Sequence, residues 1–227
     1  MHGFLRVPLL IALLVISASA PAQQANGGHA GRERILTFAS DILVRADAVL
    51  EVTETIRVMA RGVEIRHGIY RDVLTRDGRR ETSVNVLEVT RDGRRVTWRT
   101  EPIPDGVRVW IGDPDSLLTR GVHTYRIRYL STRGFRRYPS HDGIYWDVTG
   151  DGWRLAIDRA QVRIRLPTQA RFGVRMVYTL GDVSRAHAAR LTVERAGDIG
   201  FRTTRRLDPG EGFTVSVDWP KGVLAAD

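Results

Sequence analysis

The sequence has no cysteine, a single lysine, and none of the short motifs that announce a catalytic or nucleotide site. Without cysteine there are no disulfide staples, thiol nucleophiles, iron–sulfur clusters or cysteine-ligated zinc, so stability has to come from packing. Serine nucleophile elbows, phosphate loops and calcium loops are absent as well. No segment carries the 3.6-residue periodicity of a long amphipathic helix. Of the six histidines, His2 and His29 lie near the N-terminus and His187 stands alone, while His67, His123 and His141 lack the close spacing of helix-borne zinc motifs. No metal, no cofactor and no catalytic residue is therefore expected.

The N-terminus, in contrast, is informative. Arg6 supplies a short basic start, Val7 to Ile16 is almost wholly apolar, and Ala20-Pro21-Ala22 offers a small-residue cleavage site, so residues 1–22 read as an export signal. The apolar run is well short of the roughly 20 residues that a spanning helix needs. Residues 23–33, polar and glycine-rich, read as a flexible leader; a β domain is expected over 34–222, with sub-lobes at 34–130 and 142–222, and a tail at 223–227. The mature chain is expected to be periplasmic or otherwise extracytoplasmic.

The formal net charge is +9, and the basic side consists of 34 arginines and Lys221. A codon-biased genome would give that ratio without functional demand. Whatever its origin, a basic exported surface is drawn to anionic lipid head groups, acidic glycans or anionic wall polymers; nucleic acid is not expected in that compartment.

Strict alternation of apolar and polar residues recurs along the chain. Leu50, Val52, Ile56 and Val58 share one face, as do Tyr125, Ile127 and Tyr129, then Val162, Ile164 and Leu166, then Phe213, Val215, Val217 and Trp219. The fold class is all-β, an antiparallel β-sandwich with little helix. Asp-Gly at 77–78, 92–93 and 105–106 falls between strand-like runs, as hairpin turns of a β-meander would; the dipeptide also occurs at 142–143 and 151–152. The hexapeptide TRDGRR repeats at 75–80 and 90–95, placing Arg79, Arg80, Arg94 and Arg95 on two hairpin tips, either as polyanion contacts or as solubilising charge.

Two groups of polar residues need a reason. Glu54 lies in register with the apolar face of its strand, where a carboxylate must have a partner, and Arg71 is the expected one, in a structural ion pair. Asp142 to Trp153 is the densest segment: Tyr145, Trp146 and Trp153 with Asp147 suit a carbohydrate or peptide cleft, and equally a sandwich core. An envelope hydrolase or other glycan-active enzyme would use Asp142 or Asp147 as acid or base.

A resemblance rests on six segments in order: Val52-Thr53-Glu54, Gly68-Ile69-Tyr70-Arg71, Ile111-Gly112-Asp113, Gly121-Val122-His123-Thr124-Tyr125, Tyr145 to Gly150 with Trp153, and Leu207 to Glu211 with Trp219 to Gly222. Together they resemble the extracytoplasmic N-terminal domain of the predicted membrane proteins called domain of unknown function 2207. The resemblance implies an exported, strand-rich domain tethered by later transmembrane helices, with no activity or cofactor to carry over. Where that family is expected to have Tyr-Trp-Asn, this chain has Asp147. It ends at Val223 to Asp227, where a membrane segment is expected, so a released form and a longer gene product are both open. The functional expectation is a non-enzymatic binding module at the cell envelope, facing an envelope protein, an anionic polymer or the membrane surface.

Overall fold

The computed structural model describes residues 31–77, 80–180 and 189–224. The expected signal peptide and most of the leader, Arg79 and the last three residues of the tail lie outside the described residues. Residues from Arg32 onward form one compact unit.

In chain order the strands are β1 (Arg34–Val44), β2 (Leu50–Ala60), β3 (Gly68–Leu74), β4 (Arg76–Asp77), β5 (Arg80–Glu81) and β6 (Val84–Arg91). Next come β7 (Arg94–Arg95), β8 (Trp98–Ile103), β9 (Gly106–Gly112), β10 (Gly121–Ser131) and β11 (Phe135–Arg137). The remainder are β12 (His141–Asp147), β13 (Ala160–Arg165), β14 (Arg175–Leu180), β15 (Ala189–Arg195), β16 (Asp198–Thr203) and β17 (Gly212–Pro220). No helix occurs among the described residues.

The largest sheet has eight strands in the order β15-β16-β13-β1-β2-β10-β6-β7. A second sheet runs β11-β12-β17-β14, a third β3-β9-β8, and β4 and β5 form a small hairpin. Pairing is antiparallel except between β1 and β13, which run parallel. Strands from both sides of the 131–142 boundary lie in the eight-stranded sheet, where β13 pairs directly with β1.

One face of that sheet is closed to water: Phe38, Ile42, Val52, Ile56, Tyr125, Ile127, Tyr129, Val162 and Ile164 are all buried. Ile144, Trp146, Val215, Val217 and Trp219 from the second sheet, with Ile69, Val73, Val109 and Ile111 from the third, complete the same apolar cluster. The result is a sandwich-like all-β fold with the two smaller sheets covering one large one. Each such side chain contributes roughly 1.5–3 kcal/mol on burial, which is how a chain without disulfides holds together.

The turns divide by chemistry. Asp92 and Gly93, both at positive φ (52° and 76°), form the tight β6–β7 hairpin that Asp-Gly favours. At 105–106 the turn falls one residue earlier: Ile103 pairs with Gly106, so Pro104 and Asp105 occupy the bend. Gly106 belongs to β9, where a Cβ would come within 2.3 Å of the Val73 carbonyl oxygen. Asp142-Gly143 is strand interior, in β12. The hairpins β6–β7 and β8–β9 exist, but they do not continue into one meander, because β6 pairs with β10 while β9 pairs with β3.

Candidate functional site

Glu54 follows the inward pleat of β2 and is fully buried between Val52 and Ile56. β3 lays Arg71 against it, 4% exposed, in a two-pronged contact: Nε donates to Oε2 and Nη2 to Oε1, each at 2.8 Å. The Tyr129 hydroxyl, from β10, donates to the same Oε1 at 2.8 Å. The rest of the guanidinium reaches the backbone. Nη1 donates to the carbonyls of Asp72 and Thr149 at 2.9 and 2.8 Å, and Nη2 donates to the Val148 carbonyl at 3.1 Å. All five N–H groups of Arg71 therefore have acceptors. Its carbon centre also lies 5.2 Å over the Phe38 ring.

This node ties the large sheet, through β2 and β10, to β3 and to the segment after β12. Burial alone would lower the Arg71 pKa, but the Glu54 carboxylate outweighs it and holds the group above its usual range. Desolvation and the neighbouring Glu54 charge push the Tyr129 phenol well above 10, so it remains a donor. Gly150, at φ +71°, leaves room for the guanidinium, since a Cβ there would sit 3.1 Å from Nη1. The buried guanidinium has no free N–H left for a substrate.

The dense segment does not gather into one cleft. Tyr145 and Trp146 are neighbours on β12, so they face opposite ways: Tyr145 is 41% exposed and Trp146 is buried. Trp153 lies in the loop beyond, edge-on to Phe38 at 6.3 Å and stacked with Tyr70 at 6.4 Å, its indole N–H donating to the Thr149 carbonyl. Asp142 is buried and pairs with Lys221 at 2.5 Å. Asp147 accepts bonds from the Gly150 amide and the Thr214 hydroxyl. Desolvation raises the Asp147 pKa, against the attraction of Arg71. A cleft of about 190 Å³ runs past Tyr70, Arg71, Asp151 and Trp153. The Tyr70 ring is already covered by Arg108, 4.2 Å away and itself held by Asp72.

The histidines serve separate local partners. His123 bridges Asp92 and the Thr119 carbonyl, at 2.8 and 2.7 Å, and so clamps the Asp92-Gly93 turn. His67 contacts the Ser116 carbonyl, and His141 stacks on Tyr138. Among the described residues no group of three or more His, Cys, Asp or Glu side chains is placed to hold a metal ion.

Of the hairpin arginines, Arg94 and Arg95 are exposed on β7. Arg80 pairs through its backbone with Asp77, and Arg79 lies outside the described residues. The open face of the large sheet carries Arg126, Arg128, Arg163 and Arg165, each beside a carboxylate: Glu88, Glu51, Asp198 and Asp41. Tyr129, the Val148 and Thr149 carbonyls, Gly150 and the Asp92–His123 clamp are the parts that sequence reasoning missed. Those around the ion pair lie far along the chain from Glu54 and Arg71, and no local pattern in the sequence marks them.

A family model described as the N-terminal domain of a predicted membrane protein (DUF2207) matches residues 34–219. The Uncharacterized protein YciQ of Escherichia coli is 28% identical over 232 residues, covering 96% of this chain and 34% of YciQ. The chain thus spans about a third of that relative's length. Yeast LTA4 hydrolase in complex with Bestatin superposes with a TM-score of 0.51 at 11% identity, over 82% of this chain and 28% of the hydrolase. The M1 zinc metallopeptidase from Deinococcus radiodurans gives 0.45 at 16% identity, over 81% and 42%. At 11% identity the hydrolase likeness is one of fold alone.

Proposed function

This chain belongs to the DUF2207 family of predicted membrane proteins, matching its N-terminal domain, and from that premise we propose that it is a non-enzymatic interaction module on the extracytoplasmic side of the cell envelope. It binds an anionic partner through arginine-rich surface. The observation that carries this reading is how the chemically capable residues are used. Glu54, Asp142 and Asp147 each hold strands or loops together, Trp146 and Trp153 are core, and no acid–base couple among them opens onto a shared cleft. The net charge of +9 supports an anionic partner.

The test is fractionation of cells expressing the full open reading frame, washed first with salt and then with detergent. Release of the chain by salt together with an anionic component supports the reading, because screening weakens contacts between exposed charges. Retention in the cytoplasmic fraction would overturn the envelope assignment. Hydrolysis of envelope glycan by the purified chain, abolished in Asp142→Asn or Asp147→Asn, would replace the module with the hydrolase.

A further inference from the structure

Six arginines of the large sheet, Arg34, Arg126, Arg128, Arg163, Arg165 and Arg195, have a carboxylate partner, but those gathered at the start of β15 do not. β15 and β16 set Arg190 and Arg202 directly opposite each other, and Arg159 precedes β13 at the same end of the sheet. Among the described residues, none of these three guanidiniums makes a hydrogen bond or ion pair. Like charges facing each other across a strand pair destabilise it, so the arrangement is a cost that packing does not explain. All three line one open cleft of about 340 Å³, and Arg205 and Arg206 line it too.

The one acid that lines the cleft is engaged outside it, and Arg205 has a partner of its own. Asp158 accepts Arg34 at 2.8 Å, and Glu211 takes both terminal nitrogens of Arg205. Arg206 has a looser partner in Asp208, 3.8 Å from its Nε. Contrast Asp198, on the same strand as Arg202, which takes both Arg163 and Arg195. The sheet neutralises its arginines in one place and, among the described residues, leaves Arg190 and Arg202 uncompensated in the other.

A carboxylate presents two oxygens in one plane and carries one negative charge, so it can face two guanidiniums at most edge to edge, as Asp198 does with Arg163 and Arg195. A phosphate group offers several acceptor oxygens in a tetrahedral spread and can be met by several forks at once. We infer that the cleft bounded by Arg159, Arg190, Arg202, Arg205 and Arg206 is a binding site for a phosphate group carried on a larger molecule. The inference rests on the interaction-module reading and deepens it by naming the chemistry of the ligand. The cleft is open, so the phosphate can be that of a lipid head group or of a soluble phosphoester.

The experiment compares the native full chain with two double variants that remove the same charge: R190Q/R202Q in the cleft, and R94Q/R95Q at an exposed hairpin tip. Inorganic phosphate should raise the thermal midpoint of the native chain and of R94Q/R95Q but not of R190Q/R202Q. Retention on phosphatidylglycerol vesicles, measured against phosphatidylcholine vesicles, should be roughly tenfold or more weaker for R190Q/R202Q than for R94Q/R95Q. Vesicle retention that phosphate competes away identifies a lipid head group. A phosphate response without vesicle retention identifies a soluble phosphoester. Equal loss in both doubles overturns the cleft, and so does a native chain that responds to neither probe. The interaction-module reading fails separately: if R190Q/R202Q co-fractionates with a salt-released envelope component as the native chain does, that reading stands and the cleft alone is wrong.

Discussion

Arg71 and the arginines of the β15–β16 cleft are the same residue in opposite circumstances. Arg71 is buried and each of its five N–H groups meets a protein acceptor. Arg159, Arg190 and Arg202 line an open cleft and meet no partner among the described residues. A guanidinium enclosed by carboxylate and carbonyls has become part of the scaffold, because its desolvation is repaired only by that one geometry. A guanidinium left beside another of its kind, with no partner among the described residues, is held for a ligand. A count of 34 arginines cannot tell these uses apart; their partners can.

The comparison is broken most severely at the scaffold end. Arg71→Met strands the Glu54 carboxylate in the core, and removing one partner of a buried pair costs about 3–5 kcal/mol. Loss of a cooperative thermal transition, or a large fall in its midpoint, is expected by calorimetry. An unchanged midpoint would mean that the node is ornamental. Glu54→Gln keeps the shape but leaves the buried Arg71 charge uncompensated and turns one acceptor oxygen into a donor, and should cost about 3–5 kcal/mol in urea unfolding as well. Gly150→Ala acts on the same guanidinium from outside. At φ +71° with Nη1 only 3.1 Å from the new Cβ, it should destabilise by about 1–2 kcal/mol.

The sequence carries the scaffold better than it carries the site. Alternation places β2, β10, β13 and β17 because a half-buried strand has no other way to hide every second residue. Glu54 stands out for the same reason, as a charge on the hidden beat, and Arg71 lies only 17 residues away. Tyr129 and Thr149, which complete the node, are 75 residues from Glu54 and 78 from Arg71, so nothing local announces them. Asp142 and Lys221 meet across 79 residues. The Tyr145–Trp146 pair looks like a cluster in one dimension and is divided by the pleat in three. Arg190 and Arg202 become neighbours only through the register of β15 on β16, which alternation does not fix.

Asp147 sharpens the comparison from the acidic side, since it is a carboxylate beside Arg71 that does not pair with it. Desolvation raises its folded-state pKa above the usual value, although Arg71 and Arg133 pull downward; Asp151 adds to the rise. A raised acid pKa means that the fold prefers the protonated form. Stability is therefore greatest below the ordinary carboxylate range and falls as pH rises toward the shifted value, beyond which the penalty is constant. Asp147→Asn mimics the protonated form and still accepts the Gly150 and Thr214 bonds. The variant should be more stable than the native chain at neutral pH and equal to it in acid, by thermal unfolding across that range. A variant that is less stable at neutral pH would show that the charge pairs productively with Arg71.

The smallest effect falls on the cleft itself and has the opposite sign to that at Arg71. With no partner to lose among the described residues, R190Q/R202Q removes a repulsion across β15–β16, and its midpoint at low salt should rise by about 1–3 °C. Added salt should close the gap, because the repulsion between these partly exposed charges is screened over about 10 Å at 0.1 M. A fall in the midpoint would give Arg190 and Arg202 a structural role like that of Arg71 and erase the distinction between the two sites. A rise accompanied by lost phosphate binding would separate them fully: at one site arginine lends its charge to the fold, and at the other the fold tolerates the charge so that a ligand can use it.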